Sequence, residues 1–145
     1  MKDKIFIDTN ILVYANDPSD RKKNRIARQA ILEGIQKENI AISTQVISEF
    51  YVTVTRKILT KMSSEAAKQE IRLLRTIEID EIDYHSILSA INISVQHQLS
   101  FWDSLIITSA KKLDCQVIYS EDMNSGQTIE NIQIVNPFIE SSSDN

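Results

Sequence analysis

The chain has 145 residues, 42% hydrophobic and 25% charged, with a formal net charge of −4 from 16 Lys and Arg against 20 Asp and Glu. That length suits one domain with a sizeable core, and the composition is that of an ordinary soluble globular protein. Two glycines and two prolines argue against a turn-rich all-β fold, and a single cysteine, Cys115, excludes both an intramolecular disulfide and a cysteine-based zinc site.

The first predicted element is a short strand over residues 4–7, apolar on both faces, as expected for a sheet covered on both sides. It runs straight into Asp8-Thr9-Asn10. Two roles stand open for Asp8 at this point. It can cap a helix beginning at Ile11, or it can be a site acid at the carboxyl end of a strand, where open α/β sheets place their ligand crevices. After a turn at Asp17-Pro18-Ser19-Asp20, a helix is predicted over 21–37, with Ile26, Ala27, Ala30, Ile31, Gly34 and Ile35 as its inner stripe. Residues 40–43 read as a second strand. Thr44 is placed to cap the next helix, whose apolar face is Val46, Ile47, Phe50, Tyr51, Val54 and Ile58. Glu49 sits in its second turn, beside that stripe.

Ser63 or Ser64 opens a further helix through Ile71 and Leu74, and residues 77–79 alternate as a third strand. Asp80 is placed to cap the following helix, with Ile87, Leu88, Ile91 and Val95 as its expected inner stripe. His85 and His97 have no partner at metal-ligand spacing and read as surface or interface residues. Ser100 three residues before Asp103 resembles a capping box in Ser100-Phe101-Trp102-Asp103-Ser104. That helix runs to about Leu113 with Leu105, Ile106, Ser109 and Ala110 on its packed face. Residues 116–119 form a fourth strand, in which Cys115 is expected to lead as a buried structural thiol. The strand ends in Ser120-Glu121-Asp122 and so repeats the opening pattern of a strand running into a carboxylate. Residues 132–135 form a fifth strand, and residues 140–145 read as a polar, disordered tail. Short strands alternating with helices predict an α/β sandwich around a mostly parallel sheet of about five strands, in one domain over 1–139.

In a parallel sheet all strands open on the same edge. Asp8, Asp122, the first-turn Asp103 and Glu49 are therefore expected to share that edge. Four carboxylates there repel by about 4 kcal/mol per close pair in a surface-like dielectric, so either a positive partner is present or some of them hold protons. Oxygen donors without convergent His or Cys suit Mg²⁺ or Mn²⁺, with Thr9 and Ser120 as supporting hydroxyls. The sequence has no evident Ser-His-Asp arrangement, no Walker loop and no Gly-x-Gly-x-x-Gly. Metal-assisted hydrolysis, most naturally of a phosphodiester, is the chemistry left. The basic stretch Arg21, Lys22, Lys23, Arg25 and Arg28 is a candidate contact for a phosphate backbone, against the plainer reading of a solvated helix face.

Phe6-Ile7-Asp8-Thr9-Asn10, Glu49 in Ile-Ser-Glu-Phe, Phe101-Trp102-Asp103-Ser104 and Tyr119-Ser120-Glu121-Asp122 resemble, in order and spacing, the four acidic motifs of PIN-domain ribonucleases, with VapC-type toxins of bacterial toxin–antitoxin pairs the nearest likeness. The likeness runs from Ile5 to Phe138. It implies a Mg²⁺- or Mn²⁺-dependent endoribonuclease that homodimerises and is inhibited by a cognate antitoxin. It also implies Asp8, Glu49, Asp103 and Asp122 as metal-binding catalytic acids, with Thr9 or Asn10 and Ser120 in support; Glu121 either shares or only neighbours the role of Asp122. Two other readings are weighed beside it. A receiver-type signalling domain also has an acidic Mg²⁺ pocket, but it needs a lysine near the end of the last strand, and none is there. A non-catalytic adapter of the same fold would bind no metal. The N-terminal residues lack the apolar core of a secretory signal, and no apolar run is long enough to span a bilayer, so the expected compartment is the cytoplasm.

Overall fold

The structure, a computed structural model, describes residues 3–139. The expected disordered tail lies outside those residues. The elements run β1 (Ile5–Ile7), α1 (Thr9–Asn16), α2 (Arg21–Lys37), β2 (Ile40–Ser43), α3 (Thr44–Arg56), α4 (Ser64–Leu73), a 3₁₀ turn (Leu74–Thr76), β3 (Glu78–Asp80), α5 (Tyr84–His97), α6 (Phe101–Lys112), β4 (Val117–Tyr119), β5 (Thr128–Ile129) and β6 (Ile132–Val135). The strands form one sheet in the order β3-β2-β1-β4-β6-β5. All pairings are parallel except β5 with β6. Helices flank the sheet, as the alternating pattern predicts. The sixth strand escapes the sequence pattern because it has two residues, joined to β6 through Glu130 and Asn131, both at positive φ.

That strand order positions the site. From β1 the chain steps outward to β2 and β3, then returns to the other side of β1 as β4. The order therefore reverses between β1 and β4, and ligands of open α/β sheets bind at such a switch point, outside the carboxyl ends of the strands. The register pairs Ile7 with Tyr119, so Asp8 and Ser120 leave the two strands side by side. Phe6, Ile7, Ala41, Ile42, Ile118 and Ile134 are fully buried, which gives the edge a rigid base. Helix α2 lies close against β2 at Gly34, where an added Cβ would stand 2.2 Å from Ile40 Cγ2.

Three local expectations are corrected. Ser43, not Thr44, caps α3, through the Val46 amide; Thr44 begins the helix and its hydroxyl accepts from the Ile82 amide. Asp83, not Asp80, caps α5. Asp80 instead ends β3, buried and ion-paired with Lys112 at 2.8 Å. The stripe Ile87, Leu88, Ile91 and Val95 faces outward, 41–76% exposed, while Ser86, Ala90 and Ile93 are the buried side of α5. Helix α5 packs against α6, and small residues permit a close approach where a row of Ile and Leu would not. Helix α6 is correspondingly buried from Ser104 through Ala110. Among the described residues, no helix is long and apolar enough to cross a membrane.

Candidate active site

Asp8 combines both roles that its sequence left open. Its extended backbone ends β1 and caps α1, and one carboxylate oxygen accepts from the Thr9 amide at 2.7 Å. The other accepts from the Ser120 hydroxyl at 2.7 Å, and that hydroxyl is itself held by the Met123 amide. Only 7% of Asp8 is exposed. Burial pushes its carboxyl up from 3.8 to about 6; the Ser120 and Thr9 hydrogen bonds oppose this, and the charges of Glu49 and Asp103 add to it. Those two acids are therefore electrostatic neighbours of Asp8, although they come from different helices.

Each remaining acid is held by a different element. Glu49 reaches from the second turn of α3 and accepts from the Thr9 hydroxyl at 2.9 Å. Asp122 follows β4 and accepts from the Asn10 side-chain amide at 3.1 Å, while the Asn10 carbonyl accepts from the Glu121 backbone amide at 3.1 Å. Asn10 thus pins the segment after β4 to the first turn of α1. Asp103 sits in the first turn of α6, whose cap is the Ser100 hydroxyl accepting from the Asp103 amide at 3.0 Å. All four acids, with Thr9 and Asn10, line one open cleft of about 1220 Å³; Ser120 lies fully buried beneath Asp8.

The site chemistry fits a hard cation. Every donor at this edge is oxygen, and the burial of Asp8 beside two like charges leaves a negative centre that a divalent ion would compensate. Among the described residues, no three acids stand close enough to form a ready-made ligand set. That spacing is compatible with Mg²⁺, which keeps several waters and binds through one or two carboxylates.

Glu121 also lines the cleft beside the fourth acid, but its carboxylate is already engaged. Its carboxylate accepts from the Tyr14 hydroxyl at 2.8 Å and from the Lys23 ammonium. That ammonium also stands 4.9 Å from the Tyr14 ring centroid and 5.6 Å from that of Phe138. The hydrogen bond to Glu121 is the main cause raising the Lys23 pKa. This latch was missed in the sequence, because 98 residues separate Lys23 from Glu121 and no spacing rule links them. Arg21, Lys22, Arg25 and Arg28 are exposed or partly exposed on α2, and none of them lines the cleft. His97 pairs with Glu130 at 2.8 Å, and neither residue is among those lining the cleft. Cys115 is buried, and its thiol is pushed up to about 12, chiefly by burial, which makes it inert.

An open α/β sheet with an acid-lined crevice at the β1/β4 switch point defines the class. The family model of the PIN domain matches residues 5–126, and the chain belongs to that family. Its fold is similar to that of Mycobacterium tuberculosis VapC20, described as a Sarcin-Ricin loop cleaving toxin, at 21% identity over 83% of this chain and 92% of that one, with a TM-score of 0.67. A toxin–antitoxin complex from Klebsiella pneumoniae matches at 20% identity over 92% of this chain and 98% of that one, with a TM-score of 0.65. VapBC2 from Rickettsia felis, bound to a DNA fragment from its promoter, matches at 20% identity over 90% and 96%, with a TM-score of 0.62. No curated protein matches the sequence.

Proposed function

We propose that the protein is a Mg²⁺- or Mn²⁺-dependent endoribonuclease, the toxin of a toxin–antitoxin pair, acting in the cytoplasm. One observation carries the reading: carboxylates from β1, α3, α6 and the segment after β4 line a single cleft at the switch point of the sheet. Asp8, Glu49, Asp103 and Asp122 would hold the divalent ion, directly or through water. When bound, such an ion lowers the pKa of a water ligand and offsets charge on a phosphoryl oxygen.

The residues of the chain do the rest. Ser120 and the Thr9 amide fix both oxygens of Asp8, so that carboxylate is oriented before any ligand arrives. Thr9 aims Glu49, and Asn10 aims Asp122. This preorganisation spares the site part of the cost of ordering side chains when RNA binds. An antitoxin partner is inferred from the toxin–antitoxin complexes of similar fold. Homodimerisation is inferred from the exposed stripe of α5, a helix with no Asp, Glu, Lys or Arg, so two copies can meet face to face without like-charge repulsion.

RNA cleavage assayed with Mn²⁺, with Mg²⁺ and with EDTA tests the reading. A non-catalytic adapter would cleave under none of these conditions. A receiver-type domain would need a phosphoacceptor Asp at the end of a middle strand, whereas Asp80, the residue the sequence offers for it, ends an edge strand and is ion-paired with Lys112.

A further inference from the structure

We infer that the cleft beside the acids is a track for single-stranded RNA, in which the Trp102 indole stacks on the base next to the scissile phosphate and Lys57 meets a phosphate farther along. The inference rests on the ribonuclease reading and adds a subsite to it. Trp102, the one tryptophan of the chain, is 61% exposed and immediately precedes Asp103. The Phe101 ring stands edge-on to it, with centroids 5.1 Å apart, and the Trp102 carbonyl accepts from the Gln45 side chain at 3.3 Å, tying this turn of α6 to α3. The indole is therefore anchored at its base and open on its outer side. Trp102 and Asp103 line the same cleft, so a phosphate held near Asp103 through a metal ion would have its flanking nucleoside in the cleft that the indole also lines. Base–aromatic stacking tolerates any base, because every base has a π-face.

The far end of the track is set by α3. Glu49, Thr53 and Lys57 recur every four residues on one side of that helix and its cap, and all three line the cleft. Eight residues of helix place Lys57 roughly 12 Å from Glu49 along the axis, a few nucleotides from the acids. Among the described residues, Lys57 is the one basic residue that lines the cleft. The ion pairs of the described residues engage Lys4, Lys23, Lys111 and Lys112 but not Lys57. A cation left open at the end of a groove that starts in carboxylates matches a ligand whose own charge is a chain of phosphates.

The test is cleavage of a short single-stranded RNA with one cleavage site, made intact and with an abasic nucleotide at each flanking position in turn. Trp102→Ala is expected to raise KM roughly 10-fold, with Trp102→Phe close to wild type. At one flanking position the abasic RNA should be equally impaired with the wild-type protein and no further impaired with Trp102→Ala. Lys57→Ala is expected to flatten the slope of log affinity against log salt by about 0.7. In the Asp8→Asn variant, fluorescence of the single tryptophan should be quenched by uncleaved RNA whose binding is followed in parallel by anisotropy. Abasic and Trp102 losses that multiply at every position, or RNA binding without quenching, would overturn the stacking. So would Trp102→Ala cutting RNA normally while escaping an antitoxin, which would make the groove a protein-docking face. A wild-type protein that neither binds nor cuts RNA would instead bring down the ribonuclease reading itself.

Discussion

The Ser120 hydroxyl donates to Asp8 across 112 residues of chain, joining the ends of β1 and β4 beneath the cleft. This bond lowers the Asp8 pKa against the dominant effect of burial. Ser120→Ala removes it and leaves a buried carboxylate oxygen without a donor. The Asp8 pKa should then rise above about 6, and the acid limb of the pH–rate profile should move to higher pH. A profile measured at saturating Mn²⁺ and again at limiting Mn²⁺ checks this; an unmoved acid limb in both would show that Asp8 is not the titrating group.

The same burial couples the site to stability. A carboxyl raised from 3.8 to about 6 in the fold contributes stability that is fully present below pH 3.8 and is lost as pH rises through 6. The loss amounts to about 3 kcal/mol in the metal-free protein. Asp8→Asn is neutral at every pH and escapes it. In EDTA the variant should therefore melt above wild type at pH 7.5, and the gain should vanish near pH 4. Thermal denaturation at the two pH values measures the difference. Mn²⁺ should raise the melting temperature of wild type and leave that of Asp8→Asn nearly unchanged.

The Lys23–Glu121 latch holds the segment that carries Asp122. Lys23→Met leaves Glu121 with Tyr14 alone, and the loss of a partly exposed pair costs about 1 kcal/mol of stability. Cleavage should fall more than that suggests, by roughly 10-fold, because the segment carrying Asp122 is then held less firmly, through Tyr14 and Asn10. Lys23→Arg should restore most of the activity. Equal activity in Lys23→Met and wild type would make the latch purely structural.

The exposed stripe of α5 makes the quaternary prediction. Ile91 is 44% exposed, so Ile91→Asp costs the monomer little. It should halve the mass seen by light scattering, with the melting transition of the subunit retained. A dimer that survives this charge would place the interface on another face.

Much of this was legible in the sequence, and the reason differs from part to part. The parallel sheet showed in strands apolar on both faces, such as Ile5-Phe6-Ile7, because only a sheet covered twice needs them. The meeting of the four acids in one cleft was legible because each lies at a strand end or in an early helical turn, positions that chain order alone directs to one edge. Strand order did not show, nor did β5, whose two residues carry no period. The α5 stripe was legible as amphipathic but assigned to the wrong side: periodicity finds an apolar face and does not say whether the same chain covers it. Side-chain pairings such as Lys23 with Glu121, or Lys112 with Asp80, depend on the crossing of distant elements and leave no local mark.

The central claim is that four acids on one sheet edge form a metal-dependent ribonuclease site. It is tested most directly by incubating wild type and Asp8→Asn, both shown folded by circular dichroism, with RNA in Mn²⁺ and in EDTA. Cleavage by wild type in Mn²⁺ alone, with none by the variant in either condition, is the predicted result. Cleavage that persists in EDTA, or that Asp8→Asn carries out at the wild-type rate, would contradict it.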